Sequence, residues 1–360
     1  MLAGGAVSVS INLALQGGGA HGAFTWGALD RLLEESDIDI DGITATSAGA
    51  MNAAAVKRGW LMAGREGARE WLERFWLRLT GLDGPCSEAV IEWLRAVSPS
   101  PAITARLLEY SPAVVAADTV TRVLSPYQFN PANYHPLRAV VDEMLDCDGF
   151  GSAKGPKLFI NATNVRDGKP RVFVGREITT DAILASACLP TLYQAIEIDD
   201  PKTGRREAYW DGGYTGNPAL YPLFYRTRTS DIVIVHINPL YREELPRTSS
   251  EIATRINEVS FNAALLRELR NIDFVNRLID RGVIAPDAMR YHHIHSVSDD
   301  RLMNMLGIVT KMTISRTLLL QLKDAGRAAM EGFLASDRDK LGRRSSVDLR
   351  AIFTSAGSTV

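Results

Sequence analysis

Cysteine is scarce in this chain: Cys86, Cys147 and Cys188 are the only three in 360 residues. Their number is odd and their spacing wide, which excludes a disulfide framework and any recognisable metal-ligand pattern and points to a reducing compartment. Long apolar runs are missing too. None approaches the roughly 18 residues of a membrane-spanning helix. Met1 to Ser10 has no basic stretch and no cleavage pattern, so no signal peptide is expected. Charge of one sign is also lacking: 40 basic and 42 acidic residues give a net charge of −2. No overall field attracts nucleic acid, and no nucleic-acid partner is expected. There is no internal repeat and no low-complexity tract. A cytoplasmic protein is the expectation, with peripheral contact at a membrane surface left open. The 46% hydrophobic and 23% charged content is that of an ordinary globular protein, and the length allows one large domain or two.

The information is concentrated between Ser10 and about Arg58. Ile11–Leu15 reads as a strand. It runs into Gly17-Gly18-Gly19-Ala20-His21-Gly22, then a helix from about Ala23 to Glu35, a second strand from about Ile40 to Ala45, and Thr46-Ser47-Ala48-Gly49 before a further helix. Alternating strands and helices with short loops predict a parallel α/β sheet. If the two strands are parallel neighbours, both loops lie at the same edge of it, where α/β proteins bind ligands.

Further along, spacings of three and four predict a helix through Trp60–Leu82. Residues 85–135 carry recurrent prolines between short apolar helical stretches and read as a helical insertion or cap, either plain packing helices or a lid or acyl-chain pocket over Ser47. Pro136–Leu145 is a further helix. Leu158–Asn164 and Arg171–Val174 predict a hairpin across Asp167-Gly168-Lys169-Pro170. Ala182–Cys188 is a helix capped by Thr180-Asp181. Ile196–Asp199 and Arg206–Trp210 flank a second turn, followed by Asp211-Gly212-Gly213. Asp231–Ile237 is a strong strand, Glu251–Arg281 one or two amphipathic helices, Tyr291–Val297 a last strand, and Ile314–Leu334 a last helix. The expected organisation is one α/β domain over 1–335, with 85–150 as a helical cap insertion and 250–335 packing on it, and 336–360 as a flexible tail.

Three consecutive glycines let backbone N–H groups approach a ligand, and the helix they open favours negative charge there, a phosphate or a developing oxyanion. Gly17, Gly19 and Gly22 match G-x-G-x-x-G, so a dinucleotide site competes. That fingerprint needs an acidic residue at the end of the second strand, where this chain has Thr46-Ser47. Ser47 stands where a strand turns into a helix, among Ala45, Ala48 and Gly49, the small neighbours a nucleophile turn requires. By itself it reads equally well as a helix cap. His21 either lines the site or is a first-turn helix residue. Asp211, on a turn after a strand, is either a plain turn residue or a base for Ser47. As a base it would have to be desolvated, because an ordinary carboxylate is too acidic.

Taken together, Gly17–Gly22, Thr46-Ser47-Ala48-Gly49, Ala185–Pro190 and Asp211-Gly212-Gly213 with Asn217-Pro218 resemble the patatin-like phospholipase family over about residues 10–240. The resemblance implies a three-layer α/β/α sheet and a Ser–Asp dyad without histidine that cleaves acyl esters of lipids and needs no cofactor or metal. By position it implies Ser47 as nucleophile, Asp211 as general base, and the N–H groups of Gly17, Gly18 and Gly19 as oxyanion hole. The family usually has Arg or Lys where this chain has His21, and Gly where it has Ala45. His21 is therefore a candidate for substrate or head-group contact. The expected partner is a lipid or other acyl-ester substrate. An esterase or thioesterase on soluble or polyester substrates, and a lipid-binding pseudoenzyme, are the alternatives.

Overall fold

The computed structural model describes residues 8–80, 121, 123–285 and 287–353. Most of the expected cap insertion therefore lies outside the described residues, and with it Cys86. Among the described residues eight strands form one sheet: β1 Val9–Leu15, β2 Ile38–Ala45, β3 Lys157–Asn164, β4 Pro170–Val174, β5 Ile196–Asp200, β6 Arg205–Asp211, β7 Asp231–Val235 and β8 His293–Val297. The order is β5-β6-β3-β2-β1-β7-β8, with β4 also pairing β3. The run β3-β2-β1-β7-β8 is parallel throughout. The hairpins β3–β4 and β5–β6 are antiparallel. β3 outlasts β2: β2 pairs residues 157–160 of β3, and β6 takes over at residues 162–164. Because β4 runs alongside both stretches, β2 and β6 share the other edge. That places the end of β6 just beyond the carboxyl end of β2.

The helices are α1 Gly22–Leu32, α2 Ala48–Leu79, α3 Pro126–Phe129, α4 Pro136–Met144, α5 Thr180–Ser186, α6 Tyr221–Arg226, α7 Ser249–Asp280, α8 Asp300–Asn304, α9 Ile308–Met312, α10 Arg316–Asp337 and α11 Leu349–Phe353. Strand residues alternate between two cores, as period-two geometry requires. Ile11, Leu13, Leu15, Val233 and Val235 face one core with α1, α2, α4, α5 and α10. Ala14, Ile232 and Ile234 face the other with α6, α7 and α11. The architecture is three layers, α/β/α.

Several boundaries differ from the sequence expectation for local reasons. The helix after Ser47 and the one expected at Trp60 merge into α2, which breaks at Ala63-Gly64, where Gly64 has φ +65°. α5 starts earlier than expected because Thr179, not Thr180-Asp181, caps it, its side chain accepting from Ala182 N–H. α7 is a single helix, opened by a capping box in which Thr248 and Glu251 satisfy each other's backbone N–H. The chain past Ser336 is described through Phe353. Arg338 pairs with Glu35 and Asp37, and Leu341 and Leu349 are buried, so apolar contact and ion pairing hold this segment onto the domain.

Candidate active site

The site forms where β1, β2 and β6 end. Ser47 follows β2 with φ +56° and ψ −124°, left-handed backbone that costs a residue with a Cβ on the order of 1–2 kcal/mol. The turn is held from several sides. Gly49 N–H donates to Thr46 O, the Thr46 hydroxyl donates to Gly216 O (2.8 Å), and Ser47 N–H donates to Ser186 Oγ (2.9 Å). No side-chain cap hydrogen bond from Ser47 accompanies this turn, so the strain is held by its surroundings and not by a helix cap.

Asp211 is the last residue of β6 and is completely buried. Its Oδ1 accepts from Gly213 N–H at 2.7 Å, and its own N–H donates to Cys188 O. Burial pushes its carboxyl up to about 7, against small opposing contributions from Gly213 N–H and the nearby Ser47 hydroxyl. The hydroxyl is close enough to favour the carboxylate yet stops short of a formed hydrogen bond. Among the described residues Oδ2 has no partner. A buried, unpaired carboxylate oxygen beside a serine is an arrangement that folding alone disfavours. A carboxyl that titrates near neutrality can accept a proton and release it again.

Asn161 on β3 joins the two residues. Its Nδ2 donates to Gly212 O (2.8 Å) and Gly216 O (2.9 Å), fixing the turn after Asp211. Its carbonyl accepts from Ser186 Oγ (2.6 Å), which in turn holds Ser47 N–H. Sequence reading named Ser186 only as part of a motif and gave Asn161 no role. Asn161 has no sequence signal of its own, since a polar residue inside a strand is most often a surface residue.

The glycine loop lies against this turn. A Cβ on Gly17 would come 2.5 Å from Ser47 Cβ, and one on Gly19, at φ +58°, would strike Lys311 O, so neither position admits a side chain. The Gly17 N–H donates to Asn217 Oδ1 at 2.6 Å. The N–H groups of Gly18 and Gly19 have no acceptor among the described residues. Gln16, fully buried, anchors the loop from behind. Its Oε1 accepts from Ile237 and Asn238 N–H, and its Nε2 donates to Asn217 O and Asn262 Oδ1.

His21 is buried, its Nε2 is 2.8 Å from Thr310 Oγ1, and burial together with the Lys311 and Arg242 charges holds it well below its ordinary value. It is neutral and packed inward. His236, next to the Ile237 that packs on Gly18, is buried, and burial lowers it to about 4. His295 pairs with Asp231 at the opposite end of the sheet. Among the described residues no group of side chains suits a metal ion.

Residues 13–224 match the sequence profile described as patatin-like phospholipase. The chain belongs to the patatin-like phospholipase family. Membership implies lipid acyl hydrolase activity. No curated protein matches the chain as a relative. Among solved structures it is similar to VipD from Legionella pneumophila, with 13% identity and a TM-score of 0.40 over 91% of this chain and 67% of that one. No residue role is carried over from that likeness. Among the described residues no helix of this patatin-like protein is long and apolar enough to cross a membrane.

Proposed function

We propose that the protein is a serine hydrolase of lipid carboxylic esters working through a Ser47–Asp211 dyad. The observation that supports this best is the strained Ser47 turn facing a fully buried carboxyl that titrates near 7 with one oxygen unpaired. Asp211 Oδ2 takes the Ser47 proton as Oγ bonds to the ester carbonyl carbon. The carbonyl oxygen becomes an oxyanion and is held by the N–H groups of Gly18 and Gly19. Gly17 serves differently from its neighbours, its N–H clamped by Asn217 so that the loop keeps its shape. The intermediate collapses, the alcohol leaves with the proton from Asp211, and an acyl-Ser47 remains. Water then attacks, giving its proton to Asp211, and Ser47 recovers that proton as the acid departs. No cofactor or metal takes part.

The experiment is a panel of phospholipids, lysophospholipids, triacylglycerols and soluble p-nitrophenyl and thioester substrates, with Ser47→Ala as control. Hydrolysis of a lipid ester that Ser47→Ala lowers by several orders of magnitude is expected. Turnover confined to soluble esters would replace the lipid assignment with the esterase reading. Activity unchanged in Ser47→Ala would refute the dyad. A fluorophosphonate probe should label Ser47, which a pure lipid binder would not permit.

A further inference from the structure

A buried cation stands against the glycine loop. Lys311, on α9, lies outside the residues that match the family. It is buried, and its backbone carbonyl packs on Gly19. Its Nζ donates to Asn238 Oδ1 at 2.7 Å and, more weakly, to Asn257 Oδ1 at 3.4 Å. Asn238 Nδ2 then donates to Gly17 O at 2.8 Å. Two hydrogen bonds thus connect the ammonium to the first peptide of the loop.

Lys311 has no ion-pair partner among the described residues. The nearby carboxylate, Glu258, is engaged by Arg242 on both oxygens, at 2.6 and 2.9 Å, and by Arg255 at 3.3 Å. The local set is three cations and one anion. Burying an ammonium without a counter-charge is costly, and the polar contacts around it, asparagine oxygens, are neutral. A negative charge that forms only during reaction, at the Gly18–Gly19 N–H groups, would complete the balance. Fixed charge aimed at an oxyanion and left uncompensated at rest favours the transition state over the ground state.

We propose that Lys311 is a positioning residue of the oxyanion loop: through Asn238 it fixes Gly17–Gly19, and its unpaired charge is matched when the oxyanion forms. This rests on the Ser47–Asp211 reading. Three charged or titratable groups face the ammonium. Glu258 on α7 raises its pKa, Arg242 before α7 lowers it, and His21 on the loop is neutral; Asn238, Asn257 and Thr310 carry no charge. Burial dominates and brings Lys311 down to about 8. It should therefore lose its proton on the alkaline side of the activity range, and kcat should fall there.

The test is the pH profile of ester hydrolysis and of fluorophosphonate labelling in the wild type, Lys311→Met, Lys311→Arg and Asn238→Ser. Lys311→Met should lower kcat about 10- to 100-fold with KM changed less than about twofold. It should also remove the alkaline decline and leave the thermal midpoint unchanged or higher. Lys311→Arg should restore part of kcat. Asn238→Ser should lower kcat alone but add little to Lys311→Met, since the two act in series. Wild-type kcat that stays level from pH 7 to 10, or Lys311→Met with full kcat and the same alkaline decline, overturns the proposal. If the wild type is not labelled at Ser47, the dyad reading fails first and this one with it. Labelling that is intact and equally fast in Lys311→Met refutes the role of Lys311 alone.

Discussion

Replacing Asp211 with asparagine should inactivate the protein and make it more stable. The carboxyl titrates near 3.8 when solvated and near 7 in its buried position. A shift of about 3 units, at about 1.4 kcal/mol per unit, corresponds to about 4 kcal/mol. The sign follows from proton counting. Between pH 4 and 7 the folded protein keeps a proton on Asp211 that the unfolded chain has released, so stability falls as pH rises through this window and levels off above 7. Asparagine imitates the protonated form. Its Oδ1 can still accept from Gly213 N–H, and its volume is nearly the same. The stability gained by Asp211→Asn should be about 4 kcal/mol at pH 8 and about 1.5 kcal/mol at pH 5. Urea unfolding of both proteins at the two pH values measures this, while hydrolysis of a p-nitrophenyl ester records a loss of several orders of magnitude in kcat. A stability difference that is the same at pH 5 and pH 8 would show that the carboxyl is not destabilised by its surroundings, and the argument for a tuned base would fall with it.

The same shift predicts an acid limb in kcat/KM with a midpoint near pH 7, falling about tenfold per unit below pH 6; a limb near pH 4 would indicate an ordinary solvated carboxylate. Ser186→Ala removes the acceptor of Ser47 N–H and should cost about 1–3 kcal/mol in unfolding free energy. It should also reduce kcat more than KM, as steady-state kinetics and denaturation will report. Gly19→Ala introduces a methyl group at φ +58° into the Lys311 carbonyl, and should lower stability by at least about 2 kcal/mol and abolish labelling of Ser47 by a fluorophosphonate.

The parts of the fold that sequence made legible are those in which one local pattern decides the outcome. The buried strands β1 and β7, the β3–β4 hairpin and the amphipathic stretch of α7 each carry a periodicity or a turn signal. Ser47 and Asp211 stood out because small residues and a turn bracket them. What escaped depends on contacts between distant segments. Nothing near Gly17 announces that its N–H is taken by Asn217, and nothing in His21 tells that burial, with Lys311 and Arg242, holds it neutral. Asn161 and Ser186 look unremarkable until β6 replaces β2 alongside β3 and brings the two loops together. The packed segment from Arg338 to Phe353 read as loose because its anchors, Glu35, Asp37 and the core around Leu349, are supplied by other parts of the chain.

The clamp on the glycine loop also sets the order of events during synthesis. Gly17 is secured by a residue 200 positions later and Gln16 by one 246 positions later. At about 5–20 residues per second, roughly 10–40 s separate the emergence of the loop from that of its first anchor. The nascent chain therefore carries Ser47 through much of translation without a secured glycine loop beside it. Esterase activity would appear late and all at once, making turnover a sensitive reporter of complete folding, and a truncated chain that keeps both dyad residues but ends before α7 should remain silent toward esters.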